Sequence, residues 1–327
     1  MFLALVSRFS YSRSLCHLIG LAAALNRPGI NTILLLTNCP PAAREAYRDY
    51  CRYKTPLFFA DRNEEIAGVL RHRQIDLLHL HSPELLPITL TLARQLRVPF
   101  GVSLPGGPLP ARQSGIEQAS FIIMPSPAAP AAGPGNALPV TVIPQGIDLE
   151  EYQPGPKNGN RITFIAEPGA YSRDAYFALL KAAGLTEFRL AVITPEQPPA
   201  DSGAVYHRWQ PATAAVLQGS QIVIGRGHAL LEGLACGNAA LVLGHSYKGL
   251  CEPAAGRPVP GLSDQGGAEP CYRNIFFDLS RLWQERAYLE HLQQWGRRFA
   301  RENCDVRLTA EMTLRLYRRA LSRNIYS

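Results

Sequence analysis

Short runs that are apolar at every position alternate with longer segments whose apolar residues recur at helical spacing. In the first half, strands are predicted over Phe2–Val6, Ile33–Thr37, Ile75–Leu80, Phe100–Leu104, Phe121–Met124 and Val140–Ile143. Helices are predicted over Ser14–Asn26, Glu64–Arg73 and Leu85–Leu96. Strands without polar alternation must be covered on both faces, and intervening helices supply the cover, so the pattern predicts a doubly wound parallel sheet. The segment from Pro125 to Pro139 is almost entirely Pro, Ala, Gly and Ser and reads as a loop.

The same pattern restarts after 153-QPGPKNGN-160, the predicted inter-domain linker. Strands are predicted over Ile162–Ala166, Arg189–Ile193, Gln221–Ile224 and Ala240–Leu243, and helices over Arg173–Ala183 and Ala229–Ala235. Long helical segments follow around Arg281–Glu302 and Arg307–Arg323. At 327 residues the chain exceeds the size at which one hydrophobic core stops growing. Two Rossmann-like α/β domains in tandem are therefore expected, over 1–152 and 153–304, with 305–327 as a C-terminal helix.

Composition narrows the function classes. With 46% hydrophobic and 18% charged residues the chain has material for two cores and none of the signature of disorder. The net charge of +7 invites a nucleic-acid reading until it is located. Residues 281–327 carry ten arginines against five acids, so most of the excess lies in the last helices, and no basic run or zinc-finger spacing accompanies it. That tail is either a solvated helix face or a surface attracted to anionic membranes or substrates. Seven scattered cysteines, none in a C-x-x-C pair, fit reduced thiols in the cytoplasm. The apolar stretch 14-SLCHLIGLAAAL-25 is far short of the ~20 residues that span a bilayer. A cytoplasmic protein, in peripheral contact with the inner membrane face at most, is expected.

The chemistry concentrates in 221-QIVIGRGHALLEGLACGNAALVLG-244. Gly225-Arg226-Gly227 joins a buried strand to a helix, where a bare backbone approaches a ligand closely and unpaired N–H groups with the helix dipole favour an anion such as a diphosphate. Ligands of open α/β sheets bind at the carboxyl ends of strands, where this turn falls. The third glycine of G-x-G-x-x-G is replaced by Leu230, which weakens a dinucleotide reading. Glu232, one helical turn after His228, is either a solvated helix residue or a carboxylate able to accept both hydroxyls of a ribose. No P-loop, H-E-x-x-H or G-x-S-x-G motif is present.

These residues resemble the E-x7-E region of the nucleotide-sugar-dependent glycosyltransferases of family 4, which have the GT-B fold of two Rossmann-like domains facing a cleft. Three further stretches agree in order: 75-IDLLHLHS-82, 98-VPFGVSLPG-106 and 142-VIPQGIDLEEYQP-154. The resemblance implies sugar transfer from a nucleotide-diphosphate donor to a glycan or lipid-linked cell-envelope acceptor, with retention and without a metal or other cofactor. It implies that Glu232 binds the donor ribose, that Gly225, Gly227 and His228 line the donor loop, and that the C-terminal helix crosses back to the first domain. His79 and His81 point to one face of their strand. Either is a satisfied core residue or a substrate contact, and the resemblance places His81 nearer the chemistry.

The donor site also departs from the family. The first Glu of the pair falls on Ile224, a cleft histidine falls on Pro105, and the diphosphate-binding Arg and Lys fall on Glu167 and Ser172. A carboxylate about 4 Å from a phosphate costs on the order of 4 kcal/mol at an effective dielectric near 20, so Glu167 points away or the diphosphate lies elsewhere. Arg226 and Arg173 are placed to supply the missing charge, Arg226 being the expected stabiliser of the leaving group. The turn 7-SRFSYS-12, with Arg8 or Arg13, faces the donor phosphate or is a solvated loop. A binding protein on a degenerate transferase scaffold and a GT-B sugar-nucleotide epimerase remain as alternatives.

Overall fold

The computed structural model describes residues 1–104, 115–125, 140–167, 173–198, 203–253 and 267–323. Pro105, Ser172 and nearly all of the 125–139 loop lie outside the described residues. The chain divides into two compact units. One comprises 1–10, 15–146 and 306–327, and the other 11–14 and 147–305.

The first unit is built on a seven-stranded sheet of β1 (Phe2–Arg8), β2 (Asn31–Thr37), β3 (Leu57–Phe59), β4 (Leu77–Leu80), β5 (Phe100–Ser103), β6 (Phe121–Met124) and β7 (Val140–Val142). Its order is β3-β2-β1-β4-β5-β6-β7, and every pair is parallel. The central strands are buried along their length, as uniformly apolar runs require, and α1 (Arg13–Leu25), α2 (Pro41–Cys51), α3 (Asn63–His72) and α4 (Leu86–Leu96) connect them. Leu78 and Leu80 enter a core with Ile66, Leu70, Leu92 and Phe100. The alternate residue His79 therefore points to the opposite face of the sheet.

The second unit repeats the plan with β8 (Arg161–Ile165), β9 (Arg189–Thr194), β10 (Val205–Arg208), β11 (Ile222–Gly225), β12 (Ala239–Leu243) and β13 (Tyr247–Leu250). The order is β10-β9-β8-β11-β12-β13, parallel except for the last strand. Its helices are α5 (Arg173–Gly184), α6 (Ala214–Gln218), α7 (His228–Ala235), α8 (Tyr272–Gln284) and α9 (Arg286–Asn303). Apolar clusters fill both faces, one around Phe164, Tyr176 and Leu279 and the other around Val223, Leu230 and Leu234. The stretch 153–160 runs within this unit, held by Lys157 Nζ, which donates to Cys236 O and Asn238 Oδ1 at 3.1 and 2.6 Å.

The chain ends with α10 (Val306–Ser322), which belongs to the first unit. It packs by close approach of Val306 to Gly146 and Gly20, by the Thr309 hydroxyl donating to Pro144 O, and by an Arg27–Glu311 ion pair. Arg307, Arg315, Arg318 and Arg319 are exposed on its outer side. Among the described residues no helix is long and apolar enough to cross a membrane. None of the seven cysteines is in a disulfide, and burial pushes the Cys51, Cys236, Cys251 and Cys304 thiols up to about 12.

Candidate active site

Both sheets reverse their winding between two central strands, β1 and β4 in the first unit and β8 and β11 in the second. Such a reversal opens a crevice at the carboxyl ends of the strands, where α/β proteins place their ligands. The Gly225–Gly227 turn follows β11 at that end. Gly225 has φ +154°, and a Cβ there would lie 2.9 Å from Ile165 O; Gly227 has φ +56° and ψ −130°. Neither position accepts an ordinary side chain without strain, so the turn brings main chain to the crevice and starts α7 with its N–H groups facing it.

Glu232 is fully buried, and so is its partner. Arg13 Nε donates to Oε2 at 2.8 Å and Nη2 to Oε1 at 2.7 Å, a two-pronged pair inside the second unit. Nη1 donates to Gln210 O at 3.0 Å, and Nη2 shares its two protons between Glu232 and Tyr152 Oη, Pro211 O and Thr213 Oγ1, each of these three 2.8–2.9 Å away. Trp209 lies 5.8 Å from the guanidinium carbon. Burial pushes the Glu232 carboxyl up, against the pull of Arg13. His228 Nε2 lies 3.6 Å from Oε1, and its ring is 4% exposed. The carboxylate read from sequence as a ribose ligand is thus already engaged, and Arg13, read as a phosphate or solvent contact, is turned inward to hold it.

Glu167 follows β8 and takes the other side of the crevice. Its Oε1 accepts from the Arg13 backbone N–H at 2.6 Å and from the Ser12 hydroxyl at 3.2 Å, so it caps the start of α1 with the charge that a helix N-terminus favours. Its Oε2 lies 3.8 Å from Arg226 Nη2. Arg226 remains 32% exposed and Glu167 15%. Arg173, the other cation expected at the donor phosphates, stands exposed at the start of α5 with its guanidinium 6.0 Å over the Phe177 ring.

His81 lies just past β4, at the reversal point of the first unit. Its Nε2 is 3.2 Å from His79 Nδ1. His79 Nδ1 is 2.5 Å from Tyr317 Oη, and His79 Nε2 is 2.9 Å from Ser103 Oγ. Burial lowers the His79 pKa to about 3 and that of His17 to about 4, and holds His81 well below its ordinary value, so all three are neutral near pH 7. Ser7 Oγ and Ser82 Oγ lie 3.0 Å apart at the same ends of β1 and β4, with the Arg8 N–H donating to Ser82 Oγ at 2.9 Å.

No protein-family model matches the chain. No curated protein matches it in sequence. Solved structures do. HepE from Anabaena in complex with UDP and glucose superposes with a TM-score of 0.71 at 13% identity, covering 96% of this chain and 99% of that one. The pneumococcal O-GlcNAc transferase GtfA, in complex with UDP and GlcNAc, gives 0.72 at 7% identity over 98% and 99%. A glycosyltransferase from Rickettsia africae gives 0.70 at 12% identity over 98% and 99%. The fold is GT-B.

In this GT-B chain, the glycine turn, the partly exposed Arg226 and the α7 N-terminus gather at the carboxyl end of β11, where main-chain N–H groups and positive charge favour an anion. Among the described residues no three His, Cys, Asp or Glu side chains are gathered to hold a metal ion. Sequence reading did not connect Arg13 with Glu232, nor Tyr317 with His79, because each pair is more than 200 residues apart. One signal was available for the first: a lone glutamate in the otherwise apolar HALLEGLA helix demands a buried cation.

Proposed function

We propose that this protein transfers a sugar from a nucleoside-diphosphate donor to a glycan or lipid-linked acceptor, as family 4-like glycosyltransferases do, with retention and without a metal. The observation that carries the reading is the Gly225–Gly227 turn at the carboxyl end of β11, opening α7 in a fold shared with UDP-bound transferases. Uridine diphosphate is the first nucleotide to try. The diphosphate would lie on the turn and the α7 N-terminus, with Arg226 stabilising the charge that develops as the nucleoside diphosphate departs. Arg173 would meet the same phosphates from α5, and His228 would border them. Neutral His81 would contact the sugar or acceptor as a hydrogen-bonding base. For Glu232 to take the ribose hydroxyls, Arg13 must release at least one of its two bonds to the carboxylate. Cytoplasmic location, with peripheral contact through the exposed α10 arginines, fits lipid-linked or envelope acceptors.

One experiment separates this reading from the alternative of a nucleotide-binding protein without transferase activity. Thermal unfolding with UDP, GDP, ADP, CDP and dTDP tests both. A nucleotide at a hundred times its dissociation constant adds about 2.7 kcal/mol and raises the midpoint by several degrees. Stabilisation by one nucleotide, with sugar transfer or slow donor hydrolysis, supports the transferase. Binding without either reaction supports the second reading, and no stabilisation by any of the five refutes both.

A further inference from the structure

His79 sits at the centre of a branched hydrogen-bond chain within the first unit. Its Nδ1 faces both Tyr317 Oη and His81 Nε2, and its Nε2 faces Ser103 Oγ. A neutral imidazole carries one proton, so such a chain has two possible directions. In one, His79 is protonated on Nδ1, donates to His81 and accepts from the Ser103 hydroxyl. In the other, His79 is protonated on Nε2, donates to Ser103, and accepts at Nδ1. A serine hydroxyl rotates to suit either, so Ser103 does not choose.

Tyr317 does. It is fully buried, burial holds its phenol protonated, and its one hydrogen bond among the described residues is to His79 Nδ1. A buried O–H that found no acceptor would cost stability, so the phenol donates and Nδ1 must be the bare nitrogen. His81 Nε2, meeting the same bare nitrogen at 3.2 Å, must then be the protonated one. The lone pair of His81 is left on Nδ1. The ring stands half-buried at the carboxyl end of β4.

We propose that Tyr317 is a positioning residue that acts through His79 to lock His81 as the Nε2–H tautomer, presenting Nδ1 as the acceptor for a substrate hydroxyl. The use of that acceptor rests on the glycosyl-transfer reading; the tautomer does not. The device joins the end of the chain to β4: α10 supplies a single hydroxyl that sets the direction of a proton chain three residues long. Phenylalanine at 317 would keep the ring contacts with His79 and Phe121, at centroid distances of 5.5 Å each, and remove only the choice.

Long-range proton–nitrogen correlation NMR distinguishes protonated from bare ring nitrogens and is the test. In the intact protein, His81 and His79 are expected to be protonated on Nε2. In Tyr317→Phe, both rings are expected to become tautomer mixtures while the melting midpoint stays close to that of the parent. His81 protonated on Nδ1 in the parent overturns the proposal, whether or not the variant folds, and unchanged tautomers in a folded Tyr317→Phe do the same. Steady-state kinetics keeps the two readings apart. With transfer activity established, kcat of Tyr317→Phe is expected to fall about 10-fold at unchanged donor KM, the scale of one lost hydrogen bond. The predicted tautomers without any transfer activity would sustain the lock and sink the glycosyl-transfer reading.

Discussion

Replacing Arg13 with alanine leaves the Glu232 carboxylate inside the second unit with no cation. Both side chains are 0% exposed, and the pair closes through two bonds of 2.7 and 2.8 Å, with four more from the guanidinium to neighbouring oxygens. Breaking a buried pair from one side costs roughly 3–5 kcal/mol, because the remaining charge is uncompensated. At about 2–4 °C per kcal/mol for a domain of this size, the midpoint should fall by roughly 6–20 °C. Trp209, Trp283 and Trp295, the chain's three tryptophans, all lie in the second unit, so intrinsic fluorescence follows that unit. Burial already raises the Glu232 pKa, and removing Arg13 takes away the opposing pull. The folded variant then holds a proton that the unfolded chain has released, so stability falls as pH rises between the two pKa values and the deficit shrinks on acidification. The double variant Arg13→Met/Glu232→Leu should recover most of the loss, since apolar replacements of a buried pair are close to neutral. A single variant within about 1 kcal/mol of the parent, or a double variant as unstable as the single, refutes the reasoning.

Arg226→Ala should lower turnover about 10²–10³-fold, the scale of one lost oxyanion donor, and full activity in that variant would remove Arg226 from the mechanism. Gly227→Ala places a side chain at φ +56°, ψ −130° and should cost about 1–3 kcal/mol in denaturant unfolding, although no atom lies within 4 Å of the added Cβ. His79 is neutral and buried with a pKa of about 3, so the unfolded chain binds a proton that the folded one refuses below the ordinary histidine pKa near 6.5. Stability should therefore fall on acidification, by about 2 kcal/mol from His79 alone at about pH 5, and a flat profile between pH 7 and 5 would contradict its burial.

The parallel-sheet architecture was legible because its strands are apolar at every position, a signature that only two-sided burial produces. Elements at the margins were not. β3 and β10 are half-buried edge strands of only three and four residues, too short to stand out even where, as in Leu57–Phe59, every position is apolar, and α2 buries only Ala43, Tyr47 and Cys51 along one line. The turn at Gly225–Gly227 was visible from its glycines, whose backbone angles explain their choice. The state of Glu232 was not, because local sequence records a carboxylate and not the arginine that meets it from 219 positions away. Likewise 79-HLH-81 announced two histidines on one face, but which nitrogen bears the proton depends on a tyrosine near the other end of the chain.

Because α10 completes the first unit and Tyr11–Ser14 complete the second, neither unit is continuous in sequence. On a ribosome, β7 emerges well before Tyr317, and at typical synthesis rates the interval is on the order of 10 s. For that time the histidine-bearing face of the first sheet waits for α10 while the second unit is still being made, its last residue, Asp305, preceding Tyr317 by only twelve positions. Both units are therefore expected to close at nearly the same moment, near the end of synthesis, and until then both expose surface that a chaperone would see. The same logic makes the Asp305–Val306 junction the point at which a single proteolytic cut would separate the first unit from its last helix.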